Sequence, residues 1–161
     1  EDAGYAAGVD VSKDILKMAV VERHKNTRHI GIGYLKGYGL KSGAVATSVA
    51  HDSHNIICVG TNDEDMAFAV NRIARNRGGI VVVENGQVLA ELPLEIAGII
   101  SGKPLREVNT LLEGAKKAAH SLGVGTDIDP FMTLSFMALP VIPKLRITTR
   151  GVIDVDTQQY V

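Results

Sequence analysis

The sequence has one cysteine, no excess of charge of either sign, no long apolar run and no intact nucleotide-binding fingerprint, and each lack removes a class of function. A lone Cys58, set inside an apolar run, excludes an internal disulfide framework and any four-cysteine zinc site, and reads as a buried, inert thiol. Seventeen Lys and Arg against eighteen Asp and Glu give a net charge of -1. The sum supplies neither the basic footprint of a nucleic-acid binder nor an acidic tail, so no nucleic-acid partner is expected. No apolar run reaches the ~18 residues of a membrane helix and no charged leader precedes an apolar one, so neither a membrane span nor export is indicated. A reducing cytoplasm fits these lacks. Gly31, Gly33, Gly37, Gly39 and Gly43, with Leu40-Lys41-Ser42, only superficially resemble a phosphate-binding loop. Leu40, not glycine, precedes Lys41, and a strand-like segment rather than a helix follows. The strand-to-helix setting of a dinucleotide fingerprint is missing as well.

What is there suits one layered domain. A chain of 161 residues can bury roughly two thirds of its unfolded surface. Glu1 stands where a Met would begin a complete protein, so the chain reads as a fragment, and residues 1–13 mix Gly, Ala, Asp and Ser as a flexible lead-in or linker before a domain at 14–161. Ile15 to Arg23 and Ile30 to Leu35 predict a hairpin, with His24 and His29 flanking its turn. Two solvated histidines there need no ligand. Gly43 to Val49 and Ile56 to Val59 predict two further strands. Thr61-Asn62-Asp63-Glu64 has capping-box spacing before a stripe of Met66, Ala69, Val70 and Ile73, with acidic residues at the positive helix end and Arg72, Arg75 and Arg77 at the negative end. Asn85-Gly86 between two apolar runs predicts a type I′ hairpin. Glu91 and Glu95 follow as carboxylates suited to acid–base work only if a pocket desolvates them, and Ile96 to Ile100 as a short buried helix. Pro104 opens an amphipathic helix of Leu105, Val108, Leu112, Ala115, Ala119 and Leu122 stopped by Gly123, with His120, Lys116 and Lys117 off the stripe. Asp129-Pro130 caps an apolar segment from Phe131 to Leu139, and two strands with a polar tail close the chain. About eight strands and three helices in mixed order predict an α/β or α+β layered domain with a mixed sheet, and no TIM barrel.

Polar chemistry concentrates in His51-Asp52-Ser53-His54-Asn55, between two of the apolar strands. A loop held by a rigid sheet is a common place for binding groups. His51 and His54 with Asp52 are ligand types for several transition metals, though a site needs three or four ligands. The same side chains can hydrogen-bond a polar heterocycle, since His and Asn each offer a donor and an acceptor. They can equally serve the backbone of a polar turn.

Four stretches carry a resemblance: DILKMAVVERH from Asp14 to His24, SVAHDSHNII from Ser48 to Ile57, VGTNDEDM from Val59 to Met66, and FMTLSFMALPVIP from Phe131 to Pro143. In sequence and in order they resemble the C-terminal domain of bacterial-type adenine deaminase, of the amidohydrolase superfamily. That resemblance implies a parent enzyme that hydrolyses adenine to hypoxanthine and ammonia with a metal-activated water, the metal being manganese or iron on a TIM-type barrel. Such a barrel takes about 250 residues and cannot be contained here. The H-x-E and P-C-x-x-C elements of the cytidine-type zinc deaminases are absent. The resemblance therefore implies an accessory domain, inactive alone, with no catalytic or metal-ligating residue and no cofactor of its own. Its partners would be the catalytic barrel, adenine within the parent enzyme and further copies in a homo-oligomer, and His51, Asp52, Ser53, His54 and Asn55 would close or orient the purine pocket. An independent purine-binding module, a pure interface domain and a small metallohydrolase built on His51, Asp52 and His54 are the other readings these residues allow.

Overall fold

The computed structural model describes residues 8–161, so the part of the expected lead-in at 1–7 lies outside the described residues. Val11–Lys13 make one 3₁₀ turn, capped by the Asp10 carboxylate. The expected first hairpin follows as β1 (Ile15–Val21) and β2 (Ile30–Lys36). Glu22 shapes its connection by accepting from the amides of His24, Lys25 and Thr27. Burial opposes its charge, but these bonds outweigh burial and hold the carboxyl at about 2.

The hairpin joins β3 (Ala44–Thr47), β4 (Ile56–Gly60), β5 (Gly79–Glu84) and β6 (Gln87–Pro93) in a six-stranded sheet of order β2-β1-β4-β3-β5-β6. Every ladder is antiparallel, so of the two classes expected the α+β one is found. The helical crossover from β4 to β5 makes those strands run the same way. Because β3 lies between them, they do not pair.

Period-two alternation assigns each strand residue to one of two cores. Ala44, Ala46, Ile56, Cys58, Val81 and Val83 face α1 (Asp63–Arg75), which lays Met66, Ala69 and Ile73 on them. Val45, Ile57, Val59, Ile80 and Val82 face the other way, toward α2 (Leu105–Ser121) and α3 (Pro130–Met137). Beside these helices, a second sheet of β7 (Leu145–Thr148), β8 (Gly151–Asp154) and β9 (Gln159–Tyr160) lies across β1 and β2. Gly31 permits that approach, since a Cβ there would lie 1.8 Å from the Thr148 carbonyl oxygen. Cys58 is fully buried beneath α1, and burial pushes its thiol far up, as an inert cysteine requires.

Three local expectations are corrected. The Ile96–Ile100 segment is an exposed turn closed by hydrogen bonds between its ends, not a buried helix. Apolar content suggested burial there, but the backbone of Gly98 is pressed against Gly78 and Arg23, which leaves the isoleucines outside. The last polar stretch contributes β9. The cap of α1 is Asn62 rather than Thr61: its side chain accepts from the Asp65 amide at 2.8 Å.

Asp65 also receives the amides of Asn85 (3.1 Å) and Gly86 (2.8 Å), the tip of the β5–β6 turn, where both residues have the positive φ of a type I′ turn. One carboxylate thus staples the start of a helix to a hairpin. Burial pushes it up, and the Gly86, Asn62 and Asn85 bonds overcome this and hold it below the usual carboxylate range. Asp65→Ala leaves two turn amides unpaired and is expected to cost about 2–3 kcal/mol in chemical denaturation at neutral pH, the loss shrinking as pH falls through the carboxylate range.

Candidate functional site

β3 ends at Thr47 and β4 begins at Ile56, so residues 48–55 cross the sheet end as the polar loop. Its first residue is fully buried. Ser48 Oγ accepts from the Gly79 amide at 2.7 Å and donates to the Gly98 carbonyl at 2.5 Å, which ties the loop to the start of β5 and to the 95–104 connection. The turn closes through the His54 amide on the Ala50 carbonyl (2.7 Å) and the Ala50 amide on His54 Nδ1 (3.3 Å). Because Nδ1 accepts, Nε2 carries the proton of the neutral ring. His51 hangs on α3 through its amide, which donates to Ser135 Oγ at 3.3 Å.

Arg23, just past β1, holds the assembly together. Its Nε donates to the His54 carbonyl, its Nη2 to the Ala97 carbonyl at 2.7 Å, and its amide to Asn55 Oδ1 at 3.2 Å. Adjacent His24 sets Nε2 2.6 Å from the Ser53 carbonyl oxygen. Three connections remote in sequence are thereby fixed to one another.

The five candidate side chains divide by task. Asn55 is buried and spent internally, accepting from Arg23 and donating to Ser53 Oγ at 3.0 Å. Asp52 and Ser53 are exposed. His51 and His54 are half-buried, with ring centroids 5.7 Å apart edge to face, and the ring of Phe136 of α3 lies tilted 5.8 Å from that of His51. Burial, reinforced by His51 and Arg23, pushes the His54 imidazole below its ordinary value. The result is a partly aromatic surface with the His54 Nε2–H and the exposed Asp52 side chain beside it. Val49 and Ser135 border a cleft of about 300 Å³ between α2 and α3, while Asp52, Ser53 and Asn55 border another of about 210 Å³ against Pro140 and Thr148. Loop residues thus line both.

Other candidates are engaged elsewhere. Glu91 accepts two bonds from Arg72 (2.8 and 2.7 Å) and one from Asn76 (2.9 Å), and the guanidinium holds its carboxyl below the usual range. Glu95 caps the Gly102 amide. Lys116, expected in solvent, pairs with Asp129 at 2.9 Å, and His120 lies 3.1 Å from the Val124 carbonyl oxygen. Among the described residues no three His, Cys, Asp or Glu side chains converge, so the donors present do not fit a metal centre. Among the described residues no helix is long and apolar enough to cross a membrane. Arg23, Ser48, Ser135 and Phe136 were not singled out as site residues by sequence. All four lie in stretches that carried the resemblance, but nothing local marks the role of Arg23, whose partners lie 31 to 74 residues away.

Fold and site together define an α+β domain that presents a braced histidine loop at one sheet end. Comparison with known proteins identifies the kind. The sequence profile of the adenine deaminase C-terminal domain matches residues 2–159, and the chain belongs to that family. It is 52% identical over 152 residues to an adenine deaminase of Listeria welshimeri, covering 94% of this chain and 26% of that protein. It is 53% identical over 147 residues to one of Nitratidesulfovibrio vulgaris strain Hildenborough (91% and 26%) and 48% identical over 152 residues to one of Bacillus subtilis strain 168 (94% and 26%). The chain thus spans about a quarter of the length of these relatives.

Two outcomes are expected. Arg23→Ala frees the His54 and Ala97 carbonyls and should lower stability by about 2 kcal/mol in denaturant titration, with amide exchange in 50–55 and 95–100 rising most. Since His54 resists protonation when folded, the unfolded chain takes up more protons below its ordinary pKa of 6.5. Stability should therefore fall as pH drops through 6.5 toward the lower folded value, and His54→Gln should flatten that slope in melting curves measured from pH 7.5 to 5.

Proposed function

We propose that this domain serves an adenine deaminase as an accessory unit, with the hydrolysis of adenine to hypoxanthine and ammonia carried out by a portion of the parent protein that the chain does not contain. The family match over nearly the whole chain, with relatives that are four times its length, carries the reading. Manganese or iron belongs, on this proposal, to that other portion. A cytoplasmic place in purine salvage or adenine catabolism, and a homo-oligomeric parent, complete the proposal.

The loop His51–Asn55 closes or orients the purine pocket. A purine has a flat apolar face and an edge of alternating donors and acceptors. His51, backed by Phe136, offers a ring for the face, while His54 Nε2–H and the Asp52 carboxylate offer a donor and an acceptor for the edge. A neutral His54 costs less to desolvate than a charged one, which suits a site that excludes water. The braced backbone favours a second role, as a fixed contact that only secures the domain to its neighbour.

One variant separates the two roles. His51→Ala combined with His54→Ala in the full-length enzyme is expected to lower kcat/KM for adenine by about 100-fold, the scale of lost positioning, with mass and melting temperature unchanged. Dissociation or misfolding with normal turnover in the assembled fraction would assign the loop to the interface instead.

A further inference from the structure

The two edges of the main sheet are treated differently. β6 carries Glu91 tied to Arg72, ends in Pro93 and bulges at Leu89, which the register with Val82 and Val83 of β5 leaves unpaired. These are devices that keep a sheet edge from pairing with another chain. β2 has no charge, proline or bulge from Ile30 to Leu35. Among the described residues, no side chain or loop hydrogen-bonds its backbone beyond the β1 ladder. Its glycines are covered by the β7–β8 hairpin, yet the alternate residues Ile30, Ile32 and Tyr34 are 55%, 54% and 52% exposed on the other face. With Val21 of β1 and Ala67 and Val70 of α1, Ile30 and Ile32 line a groove of about 430 Å³, rimmed by the Lys17–Asp63 ion pair at 2.6 Å, and Tyr34 extends the same exposed face beyond it.

We propose that this face of β2 and α1 is the seat of the portion that precedes the domain in the full-length protein, and that this portion runs along β2 to the His51 loop. The inference rests on the reading that the domain works within a longer adenine deaminase. Three quarters of the relatives' length lies outside the region matched here, and the family's name makes this the C-terminal part. The chain enters beside one end of β2: Asp10 bridges Ile15, opposite Lys36, and Asp14 accepts from the amides of Gly37 and Gly39. At the other end, Ile30 pairs with Val21, next to Glu22, Arg23 and the loop they brace. A seven-residue strand spans roughly 20 Å. For a body tethered at the first end and touching the His51 loop at the second, the exposed Ile30, Ile32 and Tyr34 row of β2 is the direct path between them. Tethering supplies effective concentrations of about millimolar, so an apolar seat this small suffices.

The test is photo-crosslinking in a full-length adenine deaminase carrying this domain, with benzoylphenylalanine in place of Tyr34 and, as a control, of Leu89 on β6. Crosslinks from position 34 to peptides of the preceding portion of the same chain, unchanged on tenfold dilution and lost in Ile32→Asp, are expected. Crosslinked dimers that diminish on dilution would give the face to a second copy, and absence of any crosslink at 34 would leave it free; both overturn the proposal. Turnover is not the readout, so an inactive or unaffected His51/His54 variant leaves this result interpretable.

Discussion

β3 and β4 are buried along their whole length on both faces, and β5 along all but its last residue, so no polar side chain can leave the centre of the sheet sideways. This constraint arranges the rest. It demands cover on both faces, which the chain meets with α1 on one side and α2 and α3 on the other. It also forces the chain's polar chemistry to the strand ends. The loop after β3 is the one place where the dry centre of the sheet meets water with histidines in hand. Burying so much of a sheet on both sides is usual in parallel sheets flanked by helices; here it is reached with antiparallel ladders, because the helical crossover spans an inserted strand.

At the ends, the same device recurs. Asp10, Asp14, Glu22, Asp65 and Asp129 each accept two or more backbone amides at a turn or helix start. Much of the acidic complement is therefore consumed in fixing connections. The histidine loop is built with the opposite polarity. Its carbonyls are gathered by Arg23 and His24, which leaves the rings and the Asp52 carboxylate, not the backbone, to meet a partner.

The elements legible in the sequence are those whose cause is local. The β-prone apolar runs of β1 and β5, the Asn85-Gly86 turn, and the Asp129-Pro130 start of α3 each need only their neighbours. The position of the histidine loop was legible for the same reason, since polar residues between two buried strands must turn. Its bracing was not, because the Arg23 contacts join residues 31 and 74 positions apart. The Ile96 to Ile100 run misled because apolar content signals burial only when the backbone is free to turn those side chains inward, and Gly78, Ser48 and Arg23 hold this backbone fixed. Kinship was carried by long ordered stretches, which record a whole domain rather than any one contact.

The contact between Asp65 and the β5–β6 turn also bears on how the molecule ages. Asn-Gly is the dipeptide most prone to spontaneous deamidation, in which the glycine nitrogen attacks the asparagine side-chain carbonyl and closes a succinimide. In this turn that nitrogen already donates its hydrogen to Asp65 Oδ1 at 2.8 Å. A carboxylate so placed makes the N–H harder to deprotonate and holds it away from the ring it would close. The residue that joins the helix to the hairpin thus guards the chain's weakest covalent point, and a molecule that has lost that bond would begin to accumulate isoaspartate at position 85.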